Sequence, residues 1–237
     1  PRITTMELRM HTTDLTQDTI NAAVWGACDT FRGTVDPSIY KDYVLTMLFL
    51  KYISDVWQDH YEVYAREHGD HPELITELLK NERFVLPPSA NFYALHAARH
   101  QPGNGERIDK ALHAIEETNI TKLRDVFQDI SFNSTKLGDE AQKNDILRHL
   151  LEDFARPELN LRPSRIGLLD VIGNAYEFLI KKFADDSGHT AQEFYTNRTV
   201  VHLMVQMLEP KPGEKIYDPT CGTGGMLISA LDEVKRK

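Results

Sequence analysis

The sequence predicts a mainly α protein, in which an all-α N-terminal domain over residues 1–160 precedes the first elements of an open α/β sheet over residues 161–237. Apolar residues recur at spacings of three and four along the first two-thirds of the 237-residue chain, which is typical of amphipathic helices. Two prolines then interrupt the chain, at residues 157 and 163. Near the C-terminus a short apolar run, a glycine-rich loop and a helical pattern follow one another, which is how such a sheet begins.

The longest predicted helix begins at Asp36 and Pro37, a capping acceptor followed by proline at the first helical position, and Gly69 ends it. Its aromatic side chains could stack on nucleic-acid bases, but their helical spacing favours a hydrophobic core or a partner-binding face. The apolar stripe consists of Ile39, Tyr43, Met47, Leu50, Ile53, Trp57, Tyr61 and Tyr64.

Shorter amphipathic segments follow the long helix, and we expect each to be helical. They are "PELITELLKNE", "ERIDKALHAIEET", "ITKLRDVFQDI" and "DEAQKNDILRHLLEDFA".

The second part of the chain is predicted to begin with a linker between Pro157 and Pro163. Ser164 is then the expected N-cap of a helix that carries Ile166 to Phe183 on its apolar face. After a break at "DDSGHT", residues 200–208 give another helical pattern. Residues 215–218, "KIYD", are predicted to form a short strand.

Bulk composition limits the possible function classes. The formal net charge is −9, so if nucleic acid is the substrate, we expect a partner or a missing part of the chain to supply most phosphate contacts. Cys28 and Cys221 form no CxxC pair, which argues against a disulfide framework and a zinc site, and no metal is expected.

There is neither a signal-type apolar region nor a run of about 20 apolar residues, so we expect a cytoplasmic protein. The chain begins at Pro1 and ends within a helical pattern, so we expect a fragment.

The glycine loop "YDPTCGTGGML", residues 217–227, is the most informative motif. A phosphate-binding loop of ATPases requires a lysine, but none occurs between Lys215 and Lys235. The dinucleotide fingerprint G-x-G-x-x-G places its third glycine elsewhere. The third alternative is the loop of S-adenosylmethionine-dependent methyltransferases, with an acidic residue at the strand end and a glycine turn. The residues that fit it are Asp218, Gly222, Gly224 and Gly225.

This choice agrees with the chemistry of the methyl donor. A carboxylate can pair with the α-ammonium of the donor, and N–H groups at a helix start favour the donor carboxylate. Glycines remove the Cβ atoms that would hold a ligand away. A plain strand–helix turn without a ligand is the alternative. Cys221 has no histidine close in sequence to activate it, and His189 and His202 are interpreted as solvated or packed side chains.

A second motif makes the sequence resemble a known family. "EFYTNR", residues 193–198, lies about twenty residues before "DPTCGTGG". The pair resembles the cofactor motifs of N6-adenine DNA methyltransferases, and more narrowly those of the methylation subunit of type I restriction-modification systems, "F-Y-T-P-R" and "D-P-x-C-G-[ST]-G-G-F-L". "DVIGNAYEFLIKKFA" and "YKDYVLTMLFLKYISDVW" are similar to the same family. The resemblance implies that residues 161–237 begin a Rossmann-like α/β methyltransferase domain, truncated here.

The resemblance also implies a cofactor, S-adenosyl-L-methionine, and its binding residues. Thr196 is expected near the cofactor carboxylate and Asp218 near the α-ammonium, with the loop glycines along the methionine portion. Asn197 stands where proline is usual and could loosen the turn, and Met226 replaces phenylalanine, a mild apolar change. The implied binding set is Glu193, Phe194, Tyr195, Thr196, Asn197, Arg198, Asp218, Gly222, Thr223, Gly224 and Gly225.

The catalytic motif of that family, [ND]-P-P-[FYW], is not in the sequence. Its polar residue accepts hydrogen bonds from the adenine amino group and its aromatic ring stacks on the flipped base. The only Pro-Pro pair lies in "LPPS", residues 86–89, and is interpreted as a loop. No catalytic residue is therefore assigned, and we expect the 237 residues alone to transfer no methyl group.

Partners follow from the resemblance as well. It implies two methylation subunits around one DNA specificity subunit, an optional restriction subunit, double-stranded DNA with a flipped adenine, and no membrane. Two alternatives stay open: a fused restriction–methylation enzyme, and an assembly module that binds DNA or the specificity subunit without a cofactor.

Overall fold

The structure is a computed structural model that describes residues 16–33, 35–166, 171–186, 196–222 and 224–236. It divides into two compact units, one up to Leu179 and one from Ile180. The described elements are helical: α1 (Gln17–Ala27), α2 (Pro37–His68), α3 (Pro72–Lys80), α4 (Phe92–Ala97), α5 (Asn104–Thr118), α6 (Ile120–Leu123), α7 (Glu140–Phe154), α8 (Pro163–Ile166), α9 (Val171–Asp186), α10 (Arg198–Leu208) and α11 (Gly225–Arg236). None of these described helices has the length and apolar content that a membrane span requires.

Helix α2 is the longest described helix of the first unit. It begins at Pro37, as predicted, and its 32 residues correspond to about 48 Å of helix. Its stripe is buried from Tyr43 to Ile53, and the Tyr43 ring meets Phe132 edge to face at 5.0 Å. Beyond that point the stripe leaves the core, because Tyr61 is 41% exposed and stacks on Trp57.

The N-terminus of helix α7 is fixed by two capping residues. Asp139 accepts a hydrogen bond from the N–H of Gln142, and the Gln142 side chain accepts one from the N–H of Asp139, which is a reciprocal capping box. The apolar face of α7 is buried and packs against α1, α4 and α5. The predicted helix in this segment is confirmed.

The predicted helix "ITKLRDVFQDI" is wrong beyond its first turn. Helix α6 ends at Leu123, and Asp125 adopts a left-handed conformation with φ of 62°. The backbone N–H of Asp125 donates to the Glu116 carboxylate at 2.6 Å, so a side chain of α5 replaces the helical acceptor. Phe127 reaches the core from the turn that follows, which explains why the apolar spacing looked helical.

The predicted linker near residue 160 is packed rather than free. Leu159 and Leu161 are completely buried, and the backbone of residues 159–164 is held by one polar face of α2. We call Lys51, Asp55 and Asp59 the polar ladder, because they lie at intervals of four residues along that face.

Successive members of the polar ladder bind successive positions of the segment 159–164. Lys51 donates to the Leu159 carbonyl at 2.8 Å, and the N–H of Leu161 donates to Asp55 at 2.7 Å. The N–H and hydroxyl of Ser164 both donate to Asp59, at 2.8 and 2.6 Å. Ser164 lies inside α8 and is bonded to α2, so its predicted role as an N-cap is wrong.

The polar ladder is largely closed to solvent. Lys51 is 4% exposed and Asp55 is completely buried, and the two form an ion pair. The Tyr93 hydroxyl donates to the second oxygen of Asp55. Burial lowers the pKa of Lys51, and the neighbouring Asp55 carboxylate opposes that shift.

The second unit contains α10 and α11, which pack against each other. Their shared apolar cluster consists of Val201, Val205, Ala230 and the partly buried Met226. The strand predicted for residues 215–218 is not formed, because a strand needs a neighbour for its ladder hydrogen bonds and the described residues contain no second strand.

Candidate functional site

The first predicted motif is described only in part. Glu193, Phe194 and Tyr195 lie outside the described residues. Thr196 is exposed and comes just before α10, and the partly buried Arg198 is the first residue of that helix. The motif therefore leads directly into a helix N-terminus, where backbone N–H groups lack intrahelical partners.

Asn197 does not loosen this turn, contrary to the expectation from the sequence. Its side-chain oxygen accepts a hydrogen bond from the N–H of Thr199 at 2.9 Å, which makes Asn197 the N-cap of α10. Its φ of −54° is also close to the value that proline would impose. The substitution thus keeps the backbone geometry and adds a cap.

We predict that Asn197→Ala weakens the N-terminus of α10 by about 1 kcal/mol, since alanine offers no acceptor to the N–H of Thr199. Hydrogen exchange of the Thr199 amide measures the effect, and faster exchange is expected. Asn197→Asp is the matched control because it retains the acceptor. Equal exchange in the alanine variant and the unmodified chain would contradict the cap.

The loop that carries the second motif begins with a local turn. One oxygen of Asp218 accepts hydrogen bonds from the N–H and hydroxyl of Thr220, at 3.0 and 3.3 Å. Among the described residues, the Asp218 carboxylate makes only these two hydrogen bonds, and both use its Oδ1 atom. Its Oδ2 atom is therefore available to accept a hydrogen bond from a ligand.

The loop glycines have the backbone conformation that favours glycine. Gly222 has φ of 51° and Gly224 has φ of 79°, both in the left-handed region. A Cβ atom at Gly224 would meet no atom of the described residues within 4 Å, so its positive φ, and not packing among those residues, accounts for the glycine. The open space fits a ligand that approaches the backbone. Gly225 then starts α11, and Thr223 lies outside the described residues.

The two motifs precede helices that share one apolar cluster. Val201 belongs to the first turn of α10, and Met226 is the second residue of α11. Both motifs therefore lie next to helix starts of the same packed pair. Small-molecule sites are typically clefts of about 300–1,000 Å³. A cleft of about 600 Å³ is lined by Asp218 and by residues of both helices, but by none of the described loop glycines.

Other reactive side chains of this unit show no built site. Cys221 is exposed, and its sulfur contacts the carbonyl oxygen of Gly222 at 3.8 Å. His202 is exposed on α10, whereas His189 lies outside the described residues. Across the ranges that the structure describes, no three His, Cys, Asp or Glu side chains are grouped as metal ligands.

Two features were missed at the sequence level. The cap by Asn197 could have been found, because asparagine before an apolar helical pattern is a start signal. The polar ladder left a weaker signal, which is a lysine and two aspartates at intervals of four along α2. That spacing shows a shared helix face, but it does not show which segment the face binds.

Comparisons with known proteins agree with this arrangement. The family profile described as "HsdM N-terminal domain" matches residues 20–154, and the profile described as "N-6 DNA Methylase" matches residues 168–237. The MjaIX type I restriction enzyme methylase subunit of Methanocaldococcus jannaschii is 28% identical over 229 residues, which is 90% of this chain and 39% of the relative. The MpnII methylase subunit of Mycoplasma pneumoniae is 26% identical over 250 residues, 90% of this chain and 44% of the relative.

A solved structure is similar over most of the chain. It is the type I restriction-modification system methyltransferase subunit from Streptococcus thermophilus, with a TM-score of 0.71 and 27% identity, covering 93% of this chain and 50% of that one. The chain thus spans half of that protein and less than half of the two relatives above.

A helical domain followed by an N-6 DNA methylase segment defines the class as adenine-type DNA methylases. Within that class, the chain belongs to the HsdM family of type I restriction enzyme methylase subunits and contains its N-terminal domain. The predicted family and the predicted mainly α fold class are both confirmed.

Proposed function

We propose that this chain is the cofactor-binding and assembly part of a site-specific DNA methyltransferase subunit that methylates adenine at N6, using S-adenosylmethionine. The observation that carries the proposal is the loop at Gly222 and Gly224: both glycines have positive φ, and no atom of the described residues lies within 4 Å of a Cβ built at Gly224. Asp218 at the start of the loop offers a carboxylate oxygen to an ammonium group. The family match supports the same chemistry.

The residues of the two motifs have distinct roles in this proposal. Thr196 and the N-terminus of α10 hold the cofactor carboxylate, since helix starts favour anions. Asp218 holds the α-ammonium, and Gly224 lets the backbone approach the methionine portion. The bound cofactor supplies an electrophilic methyl group. The chain contributes by positioning it, which lowers the entropic part of the barrier.

The sequence contains no [ND]-P-P-[FYW] motif to bind the adenine, so the 237 residues alone are expected to be inactive. The Pro87-Pro88 pair lies in a turn of the helical unit, where the Pro87 carbonyl accepts from the N–H of Ala90 and the Pro88 carbonyl from the Asn91 side chain. This pair shapes the start of α4 and is not the catalytic motif. Detectable adenine methylation by the 237-residue chain would contradict this part of the proposal.

The proposed assembly follows the division of labour in the family. A DNA specificity subunit reads the sequence, a second methylation subunit completes the enzyme, and a restriction subunit can join. The substrate is double-stranded DNA with a flipped adenine, in the cytoplasm. The net charge of −9 supports this arrangement, because an acidic chain gains from a partner that contacts the phosphates.

Calorimetric titration with S-adenosylmethionine tests the cofactor site. The double variant Thr196→Ala, Asp218→Ala is expected to bind at least about tenfold more weakly than the unmodified chain, because both polar ends of the methionine portion lose a partner. Asp232→Ala, on the exposed face of α11, is the charge-matched control and should bind normally. Unchanged affinity in the double variant would contradict the assigned residues. Absence of binding by the unmodified chain would instead favour the assembly-module alternative.

A further inference from the structure

The first unit has a surface groove that the methyltransferase proposal does not use. It lies between α5, α6 and the turn after α6, and its volume is about 560 Å³. We call it the α5 groove. Apolar side chains form its floor: Leu112 and Phe127 are buried beneath it, Ile130 is half-buried, and Ile120 at its edge is 43% exposed. Such a floor can receive apolar side chains from another molecule.

The rim of the α5 groove carries Asp109, Glu116 and Glu117. Asp109 accepts from the N–H groups of Phe132 and Asn133 and from the Ser131 hydroxyl, and Glu116 accepts from the N–H of Asp125. These neutral donors hold the carboxylates in place without cancelling their charge.

No lysine or arginine lies among the described residues that line the α5 groove. His113, which is 3.2 Å from Glu117, is its one basic side chain. Carboxylates elsewhere in the same unit do have cationic partners, as in the pairs Glu77–Lys80 and Glu106–Lys110. The α5 groove is therefore a concentrated negative site with an apolar floor.

We propose that the α5 groove binds a cationic amphipathic helix of a partner protein. Apolar side chains of the partner would enter the floor, while its lysines or arginines would meet the three rim carboxylates. The rim extends from Asp109 to Glu117, about 12 Å along the axis of α5, which suits roughly two turns of a helix. Nucleic acid is the wrong occupant, because the rim repels phosphates. The inference concerns a different surface from the cofactor site and does not depend on it.

The test uses the 237-residue chain and a fluorescent peptide of about 12 residues, with leucines at helical spacing and lysines at the other positions. Binding is followed by fluorescence anisotropy at about 0.15 M salt. Glu117→Lys and Ile120→Ser are each expected to weaken binding at least about fivefold, because one reverses a rim charge and the other removes an apolar contact.

Helix α3 offers a matched control for each variant. The Glu77 side chain is 66% exposed against 68% for Glu117, and Leu74 and Ile120 are both 43% exposed. Glu77→Lys and Leu74→Ser should therefore change binding less than about twofold. A scrambled peptide of the same composition should bind weakly, because its lysines and leucines no longer occupy opposite faces.

Three results would overturn the proposal. The groove variants could bind the peptide as well as their α3 controls, or the scrambled peptide could bind as tightly as the amphipathic one. Alternatively, sedimentation could show that the chain self-associates and that Ile120→Ser abolishes this without changing peptide binding. In that last case a second copy of the chain occupies the groove.

Discussion

Asp55→Ala is expected to lower the free energy of unfolding of the helical unit by about 3–5 kcal/mol, because it breaks a buried ion pair and leaves one partner uncompensated. Lys51 would remain in a site where it is 4% exposed, with the Leu159 carbonyl as its remaining described acceptor. The backbone N–H of Leu161 and the hydroxyl of Tyr93 would also lose Asp55 as their hydrogen-bond acceptor. Urea unfolding followed by tryptophan fluorescence measures the loss, since Trp25 and Trp57 both belong to this unit.

The same variant should show a characteristic pH dependence. Burial already lowers the pKa of Lys51, and removing Asp55 removes the charge that opposes this shift. The unfolded chain then binds more protons than the folded chain, so stability of the variant should rise with pH, up to the ordinary lysine range near about 10.4. Glu77→Ala breaks an exposed pair with Lys80 and should change stability little. A comparable small loss in Asp55→Ala would show that the pair is not a buried one.

Gly105→Ala is expected to destabilise the helical unit by about 1–3 kcal/mol through overpacking. A Cβ atom at Gly105 would lie 2.5 Å from the carbonyl oxygen of Phe132 and 3.0 Å from the Asn133 Cα. The opposing backbone cannot easily withdraw, because Asp109 binds the N–H groups of Phe132 and Asn133. The completely buried Phe132 ring holds the same segment in the core.

Gly26→Ala is the matched control, because it is the same chemical change in a helix with room for it. Apart from α1 itself, the nearest atom of the described residues to a Cβ at Gly26 is Nη1 of Arg156, at 3.9 Å. Alanine there should stabilise α1 by up to about 1 kcal/mol, since it reduces the entropy of the unfolded chain. Both variants are compared by their urea midpoints. If Gly105→Ala also raised the midpoint, the close approach of α5 to Phe132 would be wrong.

The elements that the sequence predicted well are those whose signals are local. The start of α2 at Pro37 and the helical segment of α7 depend on residues a few positions apart, and the structure has both. Failures occurred where a distant side chain replaced a local hydrogen bond. Helix α6 stops early because Glu116 binds the N–H of Asp125, and apolar periodicity carries no information about that contact.

The same distinction applies to the candidate site. The glycine spacing indicated a loop in which the backbone can be approached closely, and the structure adds that Gly222 and Gly224 both have positive φ. Sequence could not show that the space beside Gly224 is open, since this depends on how the rest of the unit packs. Sequence could not show that the predicted linker is packed on α2 for a related reason: Leu161 and Asp55 are 106 residues apart, and no local pattern connects them.

The polar ladder has a mechanical consequence for the chain. Its contacts run in the same order on both partners, from Lys51 with Leu159 to Asp59 with Ser164, so the segment lies parallel to α2. Tension on the chain beyond Ser164, directed along α2, would load the three positions together in shear instead of peeling them apart one at a time.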